Sequence, residues 1–213
     1  MNFDILDKTI CLVGKRGSGK SQLLKYIIRM NKHLFKKVFL VCPTECVNGF
    51  FSDTIPPNCI FEKYDEDWMT SLIEKMTKHS KGKNKDDADR VLLVLDDCIA
   101  DVKFHYSDTF KKIFVRARHI YITIILTSQY LNSIPPIARN NLDYLLVNKI
   151  NAKSLDILEE EFNIGMPKKE FIDMFKKTTG NYKFLIINNC SSGYNDNYDE
   201  LFGSIKVPDK YVK

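Results

Sequence analysis

The chain has 213 residues, 44% apolar and 28% charged, and its 32 basic and 27 acidic residues leave a formal net charge of +5. That length suits one α/β domain, or a domain with a small extension, and allows a substantial core. No apolar run reaches the length of a membrane span, and "MNFDILDKTI" lacks the basic and then long apolar regions of a secretory signal. The mild positive charge permits a polyanionic partner without requiring one, since 26 of the 32 basic residues are lysines that equally suit a solvated surface.

The first predicted element is a buried strand over Ile10 to Val13. It stops at Gly14, and Gln22 to Met30 follow with helical apolar spacing at Leu23, Leu24, Ile27 and Ile28. Between strand and helix stands Gly14-Lys15-Arg16-Gly17-Ser18-Gly19-Lys20-Ser21, which fits the phosphate-loop pattern GxxxxGK[ST]. Gly14, Gly17 and Gly19 free the backbone and let its amides approach an anion closely. These positions, with Lys20 for the terminal phosphates, the Ser21 hydroxyl for Mg²⁺ and Gln22 at the helix start, are the expected ATP-binding residues.

A second strand lies in "KKVFLVC". Cys42 and Cys46 after it form a lone C-x3-C, which reads as structural rather than zinc-binding, and six scattered cysteines indicate a reducing compartment. A helix is predicted over Asp67 to His79. The polar stretch Lys78 to Arg90 then reads as a loop, either a solvated linker or a loop that touches DNA. In "RVLLVLDDC", Leu92 to Leu95 form a strand that ends at Asp96. Ligands gather at the carboxyl ends of parallel strands, so Asp96 is expected beside Ser21 as the second Mg²⁺ carrier. Asp97 follows as the candidate general base. Many such ATPases carry Glu there, and the shorter Asp leaves a turn-capping role open.

A helix over Ser107 to Arg118 leads into the strand of "IYITIILTSQ". If that strand lies between the first and third, Gln129 at its end faces the γ-phosphate and positions water; Thr127 and Ser128 compete at the same end. "VNKIN" lacks the aspartate that reads guanine and is treated as strand-end composition. Helices over Ser154 to Phe162 and Lys168 to Lys177, a strand in "YKFLIINN", a loop after Cys190 and a short tail complete the chain. Near-continuous apolar strands alternating with helices indicate a mainly parallel sheet covered on both faces. The whole is expected as one P-loop domain, residues 1–150 bearing the motifs and 151–213 adding helices, a strand and a tail.

Together, "GKRGSGKS", "LLVLDD" and "RARHIYITIILTSQYLNSIPPIARNN" resemble the viral genome-packaging ATPases of the FtsK/HerA superfamily, the poxvirus-type branch, over about Lys8 to Ile150. The resemblance implies a RecA-like core with the strand of Gln129 between the first and third. It also implies ATP hydrolysis that drives double-stranded DNA into a capsid, and a homo-oligomeric ring, pentameric or hexameric, docked at a capsid vertex or virion membrane component. Such a protein works in the host cytoplasm or the virion. Arg118, eleven positions before Gln129, matches the spacing of an arginine that acts on a neighbour's γ-phosphate, with Arg116 the second candidate and a surface ion pair the plain alternative. Arg139 is a candidate contact to DNA or nucleotide, and His119 reads as packing or hydrogen bonding. Other superfamily DNA motors, and a nucleotide-gated scaffold with negligible turnover, remain as rival functions.

Overall fold

A computed structural model describes residues 4–85, 87–98, 107–163, 165–190 and 198–211. Eight strands form one sheet in the order β3-β2-β4-β5-β1-β6-β7-β8. They are β1 (Thr9–Val13), β2 (Lys37–Val41), β3 (Ile60–Phe61), β4 (Val91–Leu95), β5 (Ile122–Ser128), β6 (Tyr144–Val147), β7 (Lys183–Asn188) and β8 (Phe202–Lys206). The first six are parallel, and β7 and β8 add on antiparallel. β5 lies between β1 and β4, the third strand of the sequence reading, as the family resemblance implied.

Strands β1, β4 and β5 are buried along their whole length. Alternate residues therefore serve two apolar layers. Cys11, Val13, Leu93, Leu95, Ile124 and Leu126 face one, which receives helices α3 (Glu66–Ser80), α4 (Asp108–Arg116), α6 (Ala152–Phe162) and α7 (Lys168–Thr178). Ile10, Leu12, Leu92, Val94 and Ile125 face the other, which is covered by α1 (Lys20–Asn31) and by Phe51, Ile55 and Val207. Three four-residue helices, α2 (Glu45–Asn48), α5 (Pro136–Arg139) and α8 (Tyr198–Leu201), lie between the longer elements. Leu23, Leu24, Ile27 and Ile28 of α1 are all buried. At about 1.5–3 kcal/mol for each apolar side chain removed from water, they anchor the helix that begins inside the phosphate loop.

Several expectations are adjusted. α3 starts at Glu66, where Asp65 caps it by accepting from the Trp68 amide, and runs to Ser80 into the predicted loop. α4 ends at Arg116, and a 3-10 turn over Ala117–Ile120 carries Arg118. The expected tail contains β8, whose "FGSIK" has no apolar run because it is an edge strand with no fully buried position. Ile99 to Tyr106, most of the loop after Cys190, and the Cys46 side chain lie outside the described residues.

Candidate active site

Register builds the site. Val41, Leu95 and Leu126 are cross-strand partners, so the next residues, Cys42, Asp96 and Thr127, meet at the carboxyl pole. Asp96 is 5% exposed. The Thr127 hydroxyl donates to its Oδ1 at 2.6 Å, and the Cys42 thiol donates to its Oδ2 at 3.6 Å. Burial pushes the Asp96 carboxyl above its ordinary pKa, opposed by these hydrogen bonds and reinforced by neighbouring Asp97.

Thr127 Oγ1 also accepts from the Asp97 amide at 3.0 Å. Asp97 has φ 51°, a left-handed conformation uncommon for non-glycine residues but enriched in Asp and Asn. Its Oδ2 accepts from Gln129 Nε2 at 2.9 Å. The pair Thr127 and Gln129, two residues apart on one strand end, thus hold the two successive carboxylates.

The phosphate loop leaves β1 at Gly14, which is buried and has ordinary φ. A Cβ there would collide with the Asn148 carbonyl and lie 2.6 Å from Ser18 Oγ. Close approach, rather than a special dihedral, requires this glycine; Gly17 (φ 76°) and Gly19 (φ 91°) supply the left-handed turns. The loop rests on the end of β6: the Lys15 amide donates to the Lys149 carbonyl at 2.9 Å, and Asn148 Nδ2 to the Ser18 carbonyl at 3.2 Å. The "NKIN" segment is therefore the floor of the loop, and its Asn151 caps α6 by accepting from the Ser154 amide at 2.8 Å. Lys20 Nζ donates to the Gly14 carbonyl at 2.5 Å, and burial lowers its pKa against the opposing pull of Asp97 and Asp96.

These parts surround a cavity of about 550 Å³ lined by Arg16, Gly17, Gly19, Lys20, Ser21, Gln22, Asp96, Asp97, Thr127 and Gln129, among others. Gly14, Lys15 and Ser18 do not line it: Gly14 and Ser18 are buried, and Lys15 is exposed. The Ser21 hydroxyl makes no side-chain hydrogen bond among the described residues, and it shares this cavity and an adjoining one with Asp96. Two hard oxygen donors and room for water suit Mg²⁺, which keeps several waters and takes few protein ligands.

Arg118 does not line this cavity. It is exposed before the start of β5, whereas Gln129 follows the strand's end, so the full length of the seven-residue strand, at roughly 3.3 Å per residue, lies between them. Arg116 is exposed as well, and His119 is an exposed member of the same 3-10 turn. Arg139 is consumed structurally: it grips Glu161 with two hydrogen bonds of 2.7 and 2.6 Å and donates to the Ile134 carbonyl. Thr127, weighed from sequence only as a competitor of Gln129, enters the site as the partner of Asp96 and Asp97, while Asn148, read as strand-end composition, and Cys42, read as structural, enter it unforeseen.

The fold and the cavity define a P-loop nucleotide-binding protein. The chain belongs to the Poxvirus A32 protein family, whose profile matches residues 5–199. It is 30% identical over 197 residues to protein 075L of Invertebrate iridescent virus 6, covering 91% of this chain and 75% of that protein. It is 23% identical to protein 015R of Frog virus 3, covering 98% of this chain and 64% of that protein. Among solved structures it resembles the genome packaging NTPase B204 from Sulfolobus turreted icosahedral virus 2 in complex with AMPPCP, with a TM-score of 0.66, 19% identity and coverage of 94% and 97%. It also resembles the pCW3 conjugation coupling protein TcpA, with a TM-score of 0.64, 14% identity and coverage of 87% and 58%. No helix among the described residues is long and apolar enough to cross a membrane.

Proposed function

We propose that this chain is an ATP-hydrolysing motor that moves double-stranded DNA into a viral capsid, working as a homo-oligomeric ring at a capsid vertex or virion membrane component, in the host cytoplasm or the virion. The observation that carries the reading is the joining of Asp96, Asp97, Thr127 and Gln129 into one hydrogen-bonded cluster on the wall of the phosphate-loop cavity. Membership of a viral family, and a fold shared with a genome packaging NTPase, support the packaging role.

The amides of the loop and of the α1 start hold the β- and γ-phosphates, and Lys20 exchanges the Gly14 carbonyl for phosphate oxygen. Ser21 and Asp96 would hold Mg²⁺, which when bound neutralises phosphate charge. Asp97 takes the proton of the attacking water as its oxygen bonds to the γ-phosphorus and the bond to ADP breaks. Gln129 orients that water, a role supported by its hydrogen bond to Asp97. Arg118 lies in the turn before β5, at the end of that strand remote from its own cavity, which suits service to a neighbour's γ-phosphate.

The test is ATP turnover with and without duplex DNA. A motor is stimulated by the duplex; nucleotide binding with negligible turnover in both conditions would establish the scaffold instead. The likeness to a conjugation coupling protein favours a second reading, DNA transfer outside a capsid. Encapsidation measured with purified procapsids separates the two.

A further inference from the structure

The cavity occupies the carboxyl pole of the parallel strands. At the opposite pole, two lysine-bearing segments converge. Lys37 opens β2 and pairs in register with Val91, the first residue of β4. Lys32 lies in the turn just before β2, and Lys81, Lys83 and Lys85 lie in the loop before β4; all are exposed.

The loop is fastened to the fold at several points. The Tyr121 hydroxyl donates to the Lys83 carbonyl at 3.2 Å, and the Arg90 guanidinium to the Lys85 carbonyl at 2.8 Å. The Lys36 amide donates to the Arg90 carbonyl at 2.9 Å, and its ammonium pairs with Asp89 at 2.5 Å. Asp89 is thereby occupied, with His79 as its second partner. Asp87 is the other described acid of the loop and is exposed. Among the described residues, Lys32, Lys37, Lys81 and Lys85 form no ion pair within 4 Å, and the Lys83 ammonium meets only the His79 ring, at 3.0 Å.

We propose that this face, comprising Lys32, Lys37, Lys81, Lys83 and Lys85, holds the phosphodiester backbone of duplex DNA. The inference rests on the motor reading above and adds to it the surface that meets the track. Exposed lysines on one pole with no described carboxylate within ion-pair distance offer positive groups that a polyanion laid across them can neutralise. Lysine ammonium groups suit phosphate contacts that carry no sequence information, as a translocating motor requires. The face also connects to the chemistry: β4 runs from the lysine loop directly to Asp96 and Asp97. Arg116 and Arg118 border the face at the start of β5, and the surface is defined without them.

The experiment measures binding of a short fluorescein-labelled duplex by anisotropy across a salt series. It compares the wild type with Lys81→Ala/Lys83→Ala/Lys85→Ala, with Lys32→Ala/Lys37→Ala, and with a charge-matched control on α7, Lys169→Ala/Lys176→Ala/Lys177→Ala. With about 0.9 in the log–log salt slope per phosphate contact, the loop triple variant is expected to lose roughly 2 to 3 of that slope and about tenfold or more in affinity. Its DNA-independent ATPase rate stays at the wild-type value. Equal losses in the loop and control variants, or none in the loop variant while the wild type binds, overturn the lysine face alone. A wild type that binds no duplex overturns the motor reading itself. A wild type that prefers single-stranded RNA of the same length overturns the choice of occupant.

Discussion

Thr127 Oγ1 donates to Asp96 Oδ1 at 2.6 Å and itself accepts from the Asp97 amide at 3.0 Å. One completely buried hydroxyl thus orients the carboxylate proposed for Mg²⁺ and the backbone of the proposed base. Thr127→Val keeps the shape and leaves an acceptor and a donor unsatisfied, a loss of about 1–3 kcal/mol for each such group. We expect kcat to fall and the Mg²⁺ concentration for half-maximal rate to rise, with Thr127→Ser restoring both. A valine variant with wild-type Mg²⁺ dependence would show that Thr127 only fills space.

Gln129 and Asp97 share a hydrogen bond of 2.9 Å, yet the roles proposed for them differ. Asp97→Asn removes basicity and should lower turnover by roughly 10²-fold or more while ATP still binds. Gln129→Ala keeps the base and should show a smaller loss. Fluorescent-nucleotide binding beside steady-state turnover separates the cases, and normal hydrolysis by Asp97→Asn would reduce Asp97 to a turn cap.

Burial raises the Asp96 pKa, and the sign of its linkage to stability follows. A carboxyl with a folded pKa above its unfolded value contributes fully only at pH values below the unfolded one, and that contribution is lost as pH rises through the folded value. Above the unfolded value the raised pKa therefore makes Asp96 a destabilising group in the nucleotide-free protein. Asp96→Asn should melt at a higher temperature than wild type at pH 7, with the gap closing on acidification, while stabilisation by Mg²⁺ and ATP disappears. Thermal melts across pH, with and without Mg·ATP, check both halves.

Gly14→Ala places a methyl group against the Asn148 carbonyl and 2.6 Å from Ser18 Oγ. The backbone of the loop floor has to shift, so ATP affinity should drop by about tenfold or more, a displacement equivalent to at least roughly 1.4 kcal/mol. Gly17→Ala has open space around its Cβ and meets only dihedral strain. Calorimetric ATP titration should rank Gly14→Ala as the weaker binder.

The proposed action of Arg118 across a ring interface is tested by mixing. Arg118→Ala and Lys20→Ala subunits should each be inactive, the first by about 10³-fold. Co-assembled, they should recover activity, because a Lys20→Ala subunit lends an intact Arg118 to a neighbour holding ATP. Mixed rings without recovery would move the assignment to Arg116.

Much of this site could be read from the chain because its parts are local. The phosphate loop is a contiguous turn, and Asp96 and Gln129 each end an unmistakable apolar run. The sheet order then brought those runs together in the anticipated sequence. What escaped notice depended on pairing between distant segments. Asn148 became the loop floor only because β6 lies beside β1, and Cys42, noted for its spacing to Cys46, reaches Asp96 only because β2 lies beside β4. β3 has two residues, and β8 is an edge strand with glycine and serine inside it; neither displays the periodicity that marks a buried strand.

The backbone at Asp97 bears on which residues that position tolerates. Its left-handed conformation is one that aspartate and asparagine enter more readily than longer side chains. Glutamate, frequent at the corresponding place in many related ATPases, would gain a methylene of reach and lose conformational comfort. Asp97→Glu is thus a trade between two geometries, and a chain that drifted toward glutamate would first have to relax the turn after β4. The short acid and the left-handed turn work together, each making the other's substitution costly.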